Sequence, residues 1–482
     1  MNRFLFSVVF YITLLSVQAQ NAVSSEVNRL KTDAGLVSAA WGFKAVNLQS
    51  GELIAEHNAQ MCMVPASVMK TVTTAAALEI LGENYTFKTR YYIRGEVSSE
   101  GILNGDFIIR GGGDPTFGSE ENSGRCASCV VSEALVKLRE RGVKVIAGDV
   151  LADDTFFEEL MTPGGWNWSD IGNRYGAAPS GLSFADNTIW YKFKSGREGR
   201  PAEFIGVRPY IPSIKVRADV VAGGSGDNAY VYGSEYSEHR YINGRITPNQ
   251  TEFEVHASMP DPPYIAALTF YQQFIDNGLY VTGVPRNARR AGIEINYAQA
   301  TEIGSIASPP LSKLVALVNK PSNNLYAEHL HKAISAKTQS EGSNKGSNGI
   351  IENFWVNKGL SSPQIFVTDG SGLSRSNAVS PNSIVKIFEY MYKSSRYKTF
   401  YESLSIAGVD GTLRNLCKGT KAANNVHAKS GTMSRVKSYA GYVQTQSGKM
   451  IAFCVMANNY SCSTSELTDK MERLMIKMAE LP

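Results

Sequence analysis

The two ends of this chain read as parts of one β-sheet. Near the N-terminus, Trp41–Leu48 and Glu52–Glu56 flank Gln49-Ser50-Gly51, two apolar runs around a glycine turn, which predicts a hairpin. Far along the chain, His427–Val443 and Met450–Ala457 are two further strand-like runs joined by Gln444–Lys449. A helix follows them. Ser463 and Glu466 form its capping box, and Leu467, Met471, Leu474, Met475 and Met478 line one face. A hairpin at one end, with strands and an amphipathic helix at the other, suggests one sheet built from both ends. Whatever lies between is then inserted.

The middle has a different texture from about Tyr85. Phe87–Ile93 and Gly105–Arg110 read as strands, Ser132–Arg141 as a helix and Val143–Leu151 as a strand. Asp186–His256 is β-rich, without a strong helical pattern, and is broken by Gly223-Gly224-Ser225-Gly226. Asp261-Pro262-Pro263 caps a helix in which Ile265, Leu268, Tyr271 and Ile275 share a face; Gly278 ends it and Tyr280–Val284 looks like a strand. Helical spacing returns at Leu311, Leu314, Val315 and Val318, and again over Leu325–Ile334. Gly111-Gly112-Gly113-Asp114-Pro115 lacks the lysine and helix that a phosphate-cradling loop needs, so a plain turn is favoured.

Bulk composition excludes some classes. The chain has 482 residues, 43% hydrophobic and 19% charged, enough for a sizeable core and for two to four domains. A net charge of +4 with no Lys/Arg run argues against a nucleic-acid binder. Asn2-Arg3, the apolar run Phe4–Val17 and Val17-Gln18-Ala19 read as a secretory signal peptide cut near Ala19. That run is short for a membrane span, which needs about 20 apolar residues. Export permits disulfides among the six cysteines. Cys126-Ala127-Ser128-Cys129 reads as a local disulfide or two thiols, because no second Cys or His pair lies near it; no metal is expected.

One helix start carries chemistry. Ser67 lies at the head of the Ala- and Leu-rich run before Gly82, and Lys70 follows three residues later on the same face. A serine hydroxyl needs a base to become nucleophilic, and a desolvated lysine can be that base. Ser-x-x-Lys alone says little, since Ser383/Lys386, Ser395/Lys398 and Ser434/Lys437 repeat it. Two companions give it weight. Ser322-Asn323-Asn324 follows one helix and opens another; it can place a hydroxyl to relay a proton and an amide to hold substrate backbone. Lys429-Ser430-Gly431-Thr432 opens the late strand pair, with positive potential, a hydroxyl for a carboxylate and a glycine for close approach. Ser380-Pro381-Asn382 and Lys194-Ser195-Gly196 match the same patterns, but without that order and context.

With these motifs the chain resembles the D-alanyl-D-alanine carboxypeptidase/endopeptidases of the penicillin-binding protein 4 type. Pro65–Thr71, Asn319–Asn324, Asp369–Arg375 and Lys429–Thr432 match that family's pattern over nearly the whole mature chain. The resemblance implies a mixed α/β penicillin-binding fold of the serine β-lactamase kind, an antiparallel sheet flanked by helices. Residues 20–88 and 301–482 would be the catalytic domain. Residues 89–175 with 261–300 would form one inserted α/β domain, and 176–260 a β-rich one. It implies that Ser67 forms an acyl-enzyme with Lys70 as base, that Ser322 and Lys429 relay a proton, and that Asn324 binds the substrate amide. Backbone N–H groups of Ser67 and Thr432 would form the oxyanion hole, with Lys429, Ser430 and Thr432 on the terminal carboxylate. Asp170, Tyr175, Arg375 and Met433 would read the diamino acid of a diaminopimelate-containing stem peptide. Asp410-Gly411-Thr412 also resembles a family segment and reads as structural. The implied partners are peptidoglycan peptides ending in D-Ala-D-Ala and β-lactam inhibitors, the implied location is the periplasm, and no cofactor is implied. Peripheral membrane contact stays open. The alternatives are a β-lactamase and a catalytically silent wall-binding module.

Overall fold

This computed structural model describes residues 22–339 and 341–482, leaving aside the side chain of Ser123; the expected signal segment lies outside the described residues. The chain divides into two compact units. The first takes the chain up to Asn84, Leu311–Asn323 and Lys345–Pro482; the second takes Tyr85–Pro310 and Asn324–Asn344.

The first unit is built on a six-stranded antiparallel sheet in the order Ser405–Ile406, His427–Met433, Val436–Gln444, Met450–Asn458, Ala40–Asn47, Leu53–His57. Ala40–Asn47 pairs with Met450–Asn458 along its whole length, so both ends of the chain do share one sheet. Period-two alternation divides its faces. Trp41, Phe43 and Ala45 with Ile451, Phe453 and Val455 turn to one side, where the C-terminal helix Thr464–Ala479 packs Leu467, Met471, Leu474, Met475 and Met478, all buried. Fully burying such side chains stabilises by about 2 kcal/mol each. The Ser463–Glu466 capping box starts that helix. On the other side Lys44 donates to Asn382 and Tyr442 packs edge-on against Phe388, so the helix Pro381–Lys393 covers that face.

The expected run His427–Val443 is two strands. Ser434-Arg435 turns the chain between them, with Arg435 in the left-handed region at φ 57°. No Gly, Asn or Pro marks this turn, so the run looks continuous in sequence.

The second unit holds a seven-stranded sheet. Its path is Tyr280–Val281, Val145–Ile146, Ile102–Arg110, Lys88–Val97, Ala300–Ala307, with Val150–Asp153 and Pro285–Asn287 paired beside it. The expected strand Val143–Leu151 is therefore split, at Gly148, where a Cβ would lie 2.5 Å from the Gly105 carbonyl oxygen. Two three-stranded sheets come from residues 188–258. The helix Pro262–Asp276 buries Ile265, Leu268, Phe270 and Phe274, whereas Ile275 is 42% exposed. The expected face was thus rotated, because Ala266 and Ala267 are too small to weigh in a hydropathy reading yet lie fully buried. Among the described residues no helix is long and apolar enough to cross a membrane.

Candidate active site

Ser67 lies in a 3-10 turn, Ala66–Val68, that runs directly into the helix Met69–Leu81. Ala66 is left-handed at φ 47°, a conformation that costs an alanine about 1–2 kcal/mol and turns the chain sharply just before the serine. Two sheet residues hold that turn in place. Ser438 Oγ donates to the Pro65 carbonyl at 2.6 Å, and the Asn458 amide bonds both N–H and C=O of Val64 at 2.8 and 3.1 Å. The helix behind it is buried from Met69 to Leu78; Thr71 and Thr74 donate locally, to the Val68 and Lys70 carbonyls, and Thr73 donates to the Gly370 carbonyl at 2.8 Å.

Lys70 has no solvent exposure and donates to Ser67 Oγ at 3.0 Å and to the Ser371 carbonyl at 2.7 Å. The Ser371 loop is itself rigid. The Asp369 carboxylate accepts from the N–H groups of Gly372 and Ser374 and from the Asn377 amide. Gly372 is left-handed, and a Cβ there would meet the Ala66 carbonyl oxygen at 1.9 Å. Only glycine lets this loop lie against the turn that carries Ser67.

Ser322 is left-handed at φ 63° and accepts from Lys429 Nζ at 2.8 Å. Lys429 is fully buried on the strand His427–Met433; its other bond goes to the Ser430 carbonyl. Burial pushes its pKa well down, and the neighbouring charges of Lys70 and Lys437 push it further. Gly431 brings this strand onto the serine turn: a Cβ there would lie 2.2 Å from Ser438 Oγ and 2.9 Å from the Ser67 nitrogen. The first unit thus gathers Ser67, Lys70, Ser322 and Lys429 with Ser430 and Thr432. Ser430 donates to the Thr412 hydroxyl at 2.7 Å, and Thr432 accepts from Lys437 at 2.9 Å. The neighbouring strand Ser405–Ile406 pairs only with Ala428 and His427, so the edge from Lys429 to Met433 has no strand beside it among the described residues. Arg375 donates to the Ser434 carbonyl, next to Met433.

Asn324, Tyr175 and Asp170 belong to the second unit and are joined there. Asn324 Nδ2 donates to the Tyr175 carbonyl at 2.7 Å, and the Tyr175 hydroxyl donates to Asp170 Oδ1 at 3.0 Å. Burial, and then the Asp170 charge, raise the Tyr175 pKa and keep its proton in place. The turn that carries them is pinned by Asn173, which bonds the Ser169 carbonyl and the Val231 N–H.

Sequence reasoning missed several groups in this arrangement. The Ser371 carbonyl on Lys70, the Ser438 and Asn458 clamps, and Lys437 beside Thr432 act through backbone atoms or cross-strand register, which no motif spells out. Thr412, read as structural, touches Ser430. Chemically, a part-open hydroxyl on a buried amine can give up its proton, and a second amine–hydroxyl pair lies within reach to pass one on. Among the described residues no group of three His, Cys, Asp or Glu is placed to hold a metal ion. Cys126 and Cys129 form a disulfide at the start of the helix Ala127–Glu140.

Comparison with known proteins agrees with the fold and extends it. The chain is 28% identical over 451 residues to the D-alanyl-D-alanine carboxypeptidase of Actinomadura sp. (strain R39), covering 90% of this chain and 81% of that protein. It is 26% identical over 446 residues to the D-alanyl-D-alanine carboxypeptidase DacB of Haemophilus influenzae, covering 90% and 88%. The crystal structure of penicillin binding protein 4 from Haemophilus influenzae has the same fold, with a TM-score of 0.76 at 22% identity over 94% of this chain and 97% of that one. Residues 23–481 match the D-Ala-D-Ala carboxypeptidase 3 (S13) family, and a match across almost the whole chain makes this protein a member of that family of serine peptidases.

Proposed function

We propose that this serine DD-peptidase is an exported enzyme that hydrolyses peptidoglycan stem peptides, and cross-links of the same bond type, through an acyl-enzyme on Ser67. The observation that carries the reading is the meeting of two amine–hydroxyl pairs, Lys70–Ser67 and Lys429–Ser322, across Gly431. In the first step Lys70 Nζ takes the Ser67 proton as Oγ attacks the carbonyl between the two D-alanines. The N–H groups of Ser67 and Thr432 receive the developing oxyanion, worth about 3–4 kcal/mol per donor in comparable enzymes. Collapse breaks the C–N bond, and the proton reaches the leaving amine through Ser322 and Lys429. Water then cleaves the ester and restores the Ser67 hydroxyl.

The open edge from Lys429 to Met433 suits a peptide laid alongside as an added strand. Ser430 and Thr432 receive its terminal carboxylate, where the Lys437 amine adds positive charge. Asn324 takes the backbone amide; Asp170, Tyr175, Arg375 and Met433 are assigned to the diamino acid side chain, an acid for its free amine and a guanidinium for its carboxylate. One solved relative from Haemophilus influenzae is complexed with a β-lactam; we assign the same inhibition to this chain, by acylation of Ser67. Export rests on the apolar N-terminal segment and its small-residue cleavage pattern.

The test is direct. Fluorescent penicillin should label one peptide, at Ser67, and Ser67→Ala should lose both the label and D-alanine release from a pentapeptide while its circular dichroism stays unchanged. Retained release in that variant would mean another nucleophile. Rapid multiple turnover of a chromogenic cephalosporin would favour a β-lactamase instead.

A further inference from the structure

The second unit carries a further concave surface, none of whose lining residues has a role above. The strands Asp227–Tyr232, His239–Ile246 and Lys215–Ala222 form one three-stranded sheet. Its inner face buries Val220, Val231, Ile242 and Ile246. Alternation then fixes what the outer face shows. Register sets Tyr232 opposite Tyr241, and Tyr241 opposite Arg217, so one row crosses all three strands. The two tyrosine rings lie 5.9 Å apart, and the Arg217 guanidinium lies 5.7 Å from the Tyr241 ring centre. Trp168, 58% exposed, completes a groove of about 760 Å³ over this row.

Two properties of the groove select its ligand. Its lining includes Lys215, Arg217 and Arg240 and, among the described residues, no carboxylate, although basic and acidic residues nearly balance over the whole chain, 48 against 44. Asp219, paired with Arg217 at 3.7 Å, lies outside that lining, and an ion pair so exposed holds little. The groove's flat partners are three amphipathic rings, which present an apolar face and a polar edge, and the hydroxyls of Ser234 and Ser237. An apolar peptide would waste the cations. A pyranose ring stacks its C–H face on such rings and bonds the hydroxyls, and a carboxylate on the sugar meets the lysine and arginine. Muramic acid is such a sugar wherever its lactyl carboxyl carries no stem peptide.

We infer that this groove binds peptide-free stretches of the glycan strand of the polymer whose peptides the enzyme cleaves, where the lactyl carboxylate is free, a reading that rests on the proposed peptidoglycan activity. Trp168 lies two residues before Asp170 on the same short helical turn, so the groove is continuous with the loop assigned to the stem peptide. Holding the strand raises the local concentration of the peptides attached to it, which matters for an insoluble polymer and not for a short free peptide.

The experiment uses the full mature chain. The probe is purified glycan strands stripped of peptide by an amidase, which frees one lactyl carboxylate per disaccharide. Calorimetric titration should show saturable binding, weakened at least tenfold by Arg217→Glu with Tyr241→Ala. The same variant should release D-alanine from sacculi partly stripped of peptide by that amidase about fivefold more slowly, while its kcat/KM on a soluble pentapeptide stays within twofold. Arg217→Glu alone, at a side chain 81% exposed, should fold in any event and weaken binding at least threefold. Absence of binding by the wild type, or equal binding by the variants, overturns the inference. So does equal affinity for single-stranded DNA, which would mark a surface for any polyanion. A wild type that binds glycan but releases no D-alanine would sink the proposed activity and leave the groove standing.

Discussion

Lys429 in the first unit and Lys332 in the second are both fully buried amines, and their surroundings are opposite. Lys332, on the helix Asn324–Ala336, has the Glu158 carboxylate at 3.3 Å and the Leu160 carbonyl at 2.8 Å. Lys429 has the Ser322 hydroxyl and the Ser430 carbonyl, and no ion pair among the described residues. Burial lowers both pKa values first. For Lys332 the nearby carboxylates of Glu158, Glu328 and Glu235 oppose that shift; for Lys429 the neighbouring amines of Lys70 and Lys437 add to it. A buried amine with an acid beside it keeps its charge and ties chain segments together. A buried amine among other amines sheds its proton readily, and that suits proton transfer.

The comparison breaks most easily by exchanging methionine for each lysine. Lys429→Met should lower kcat/KM for D-alanine release about 10³-fold, the range for losing a proton-transfer group, with the melting temperature unchanged or raised. Lys332→Met removes the ion-pair partner of Glu158, whose carboxylate then keeps the Asn344 N–H. It should cost about 3 kcal/mol in urea unfolding, at the low end for a broken buried pair because Glu158 keeps 23% exposure. Its kcat/KM per folded molecule should change less than twofold. The reverse pattern, with stability lost at Lys429 and activity lost at Lys332, would end the distinction.

How much of this was legible in sequence follows the same division. The shared sheet and its capping helix were readable because alternation and a capping box are local. Ser67, Lys70, Ser322 and Lys429 were readable because side chains of the right type recur in the right order. What failed was the register-dependent part. A turn at Ser434-Arg435 carries no turn residue, the helix Pro262–Asp276 hides its packed face behind alanines, and a helix whose cap is a cysteine, Cys126, began earlier than Ser132. Of the acids beside Lys332, Glu158 and Glu235 lie far from it in the chain and no spacing reveals them; Glu328, four residues earlier on the same helix, is the one that spacing could have shown.

A second prediction sharpens the account of the first unit. Gly372 must stay glycine because its loop touches the Ala66 carbonyl and presents the Ser371 carbonyl to Lys70. Gly372→Ala should slow acylation by fluorescent penicillin 100-fold or more, with the label still on Ser67. Wild-type acylation in this variant would mean that the loop does not position the base.

In the second unit, His329 tests compensation by pH. It is fully buried, with Nδ1 donating to the Gly113 carbonyl and Nε2 accepting from Ser183, both at 2.8 Å. Burial lowers its pKa from 6.5 to about 3, so the folded ring stays neutral where the unfolded chain binds a proton. Stability from this group is therefore full above pH 6.5 and falls as the pH drops toward 3. Asp114 and Asp154, raised to about 6 by burial, act the other way between pH 3.8 and 6, so the wild-type profile alone is ambiguous. The difference from His329→Gln isolates the histidine. It should shrink by about 2.3 kcal/mol between pH 6.5 and 4.5, since the slope is half of about 1.36 kcal/mol per unit at pH 6.5 and approaches that full value below it. A gap independent of pH would show that the ring is already charged.

The smallest effect expected lies at the disulfide, and it asks whether the two units differ in what they contribute to the reaction. Cys126–Cys129 closes a loop of only four residues at the head of the helix Ala127–Glu140, within the second unit. Chain-entropy reasoning gives such a closure about 2 kcal/mol. Changing both cysteines to serine should therefore lower unfolding stability by about that amount. Serine is itself a good helix cap, which recovers part of what the Cys126 cap contributed. Penicillin acylation of Ser67 should keep its rate, because every group assigned to that step lies in the first unit. A slower acylation would mean that the second unit does more than hold substrate, and the division between compensated and uncompensated amines would then no longer follow the division between the units.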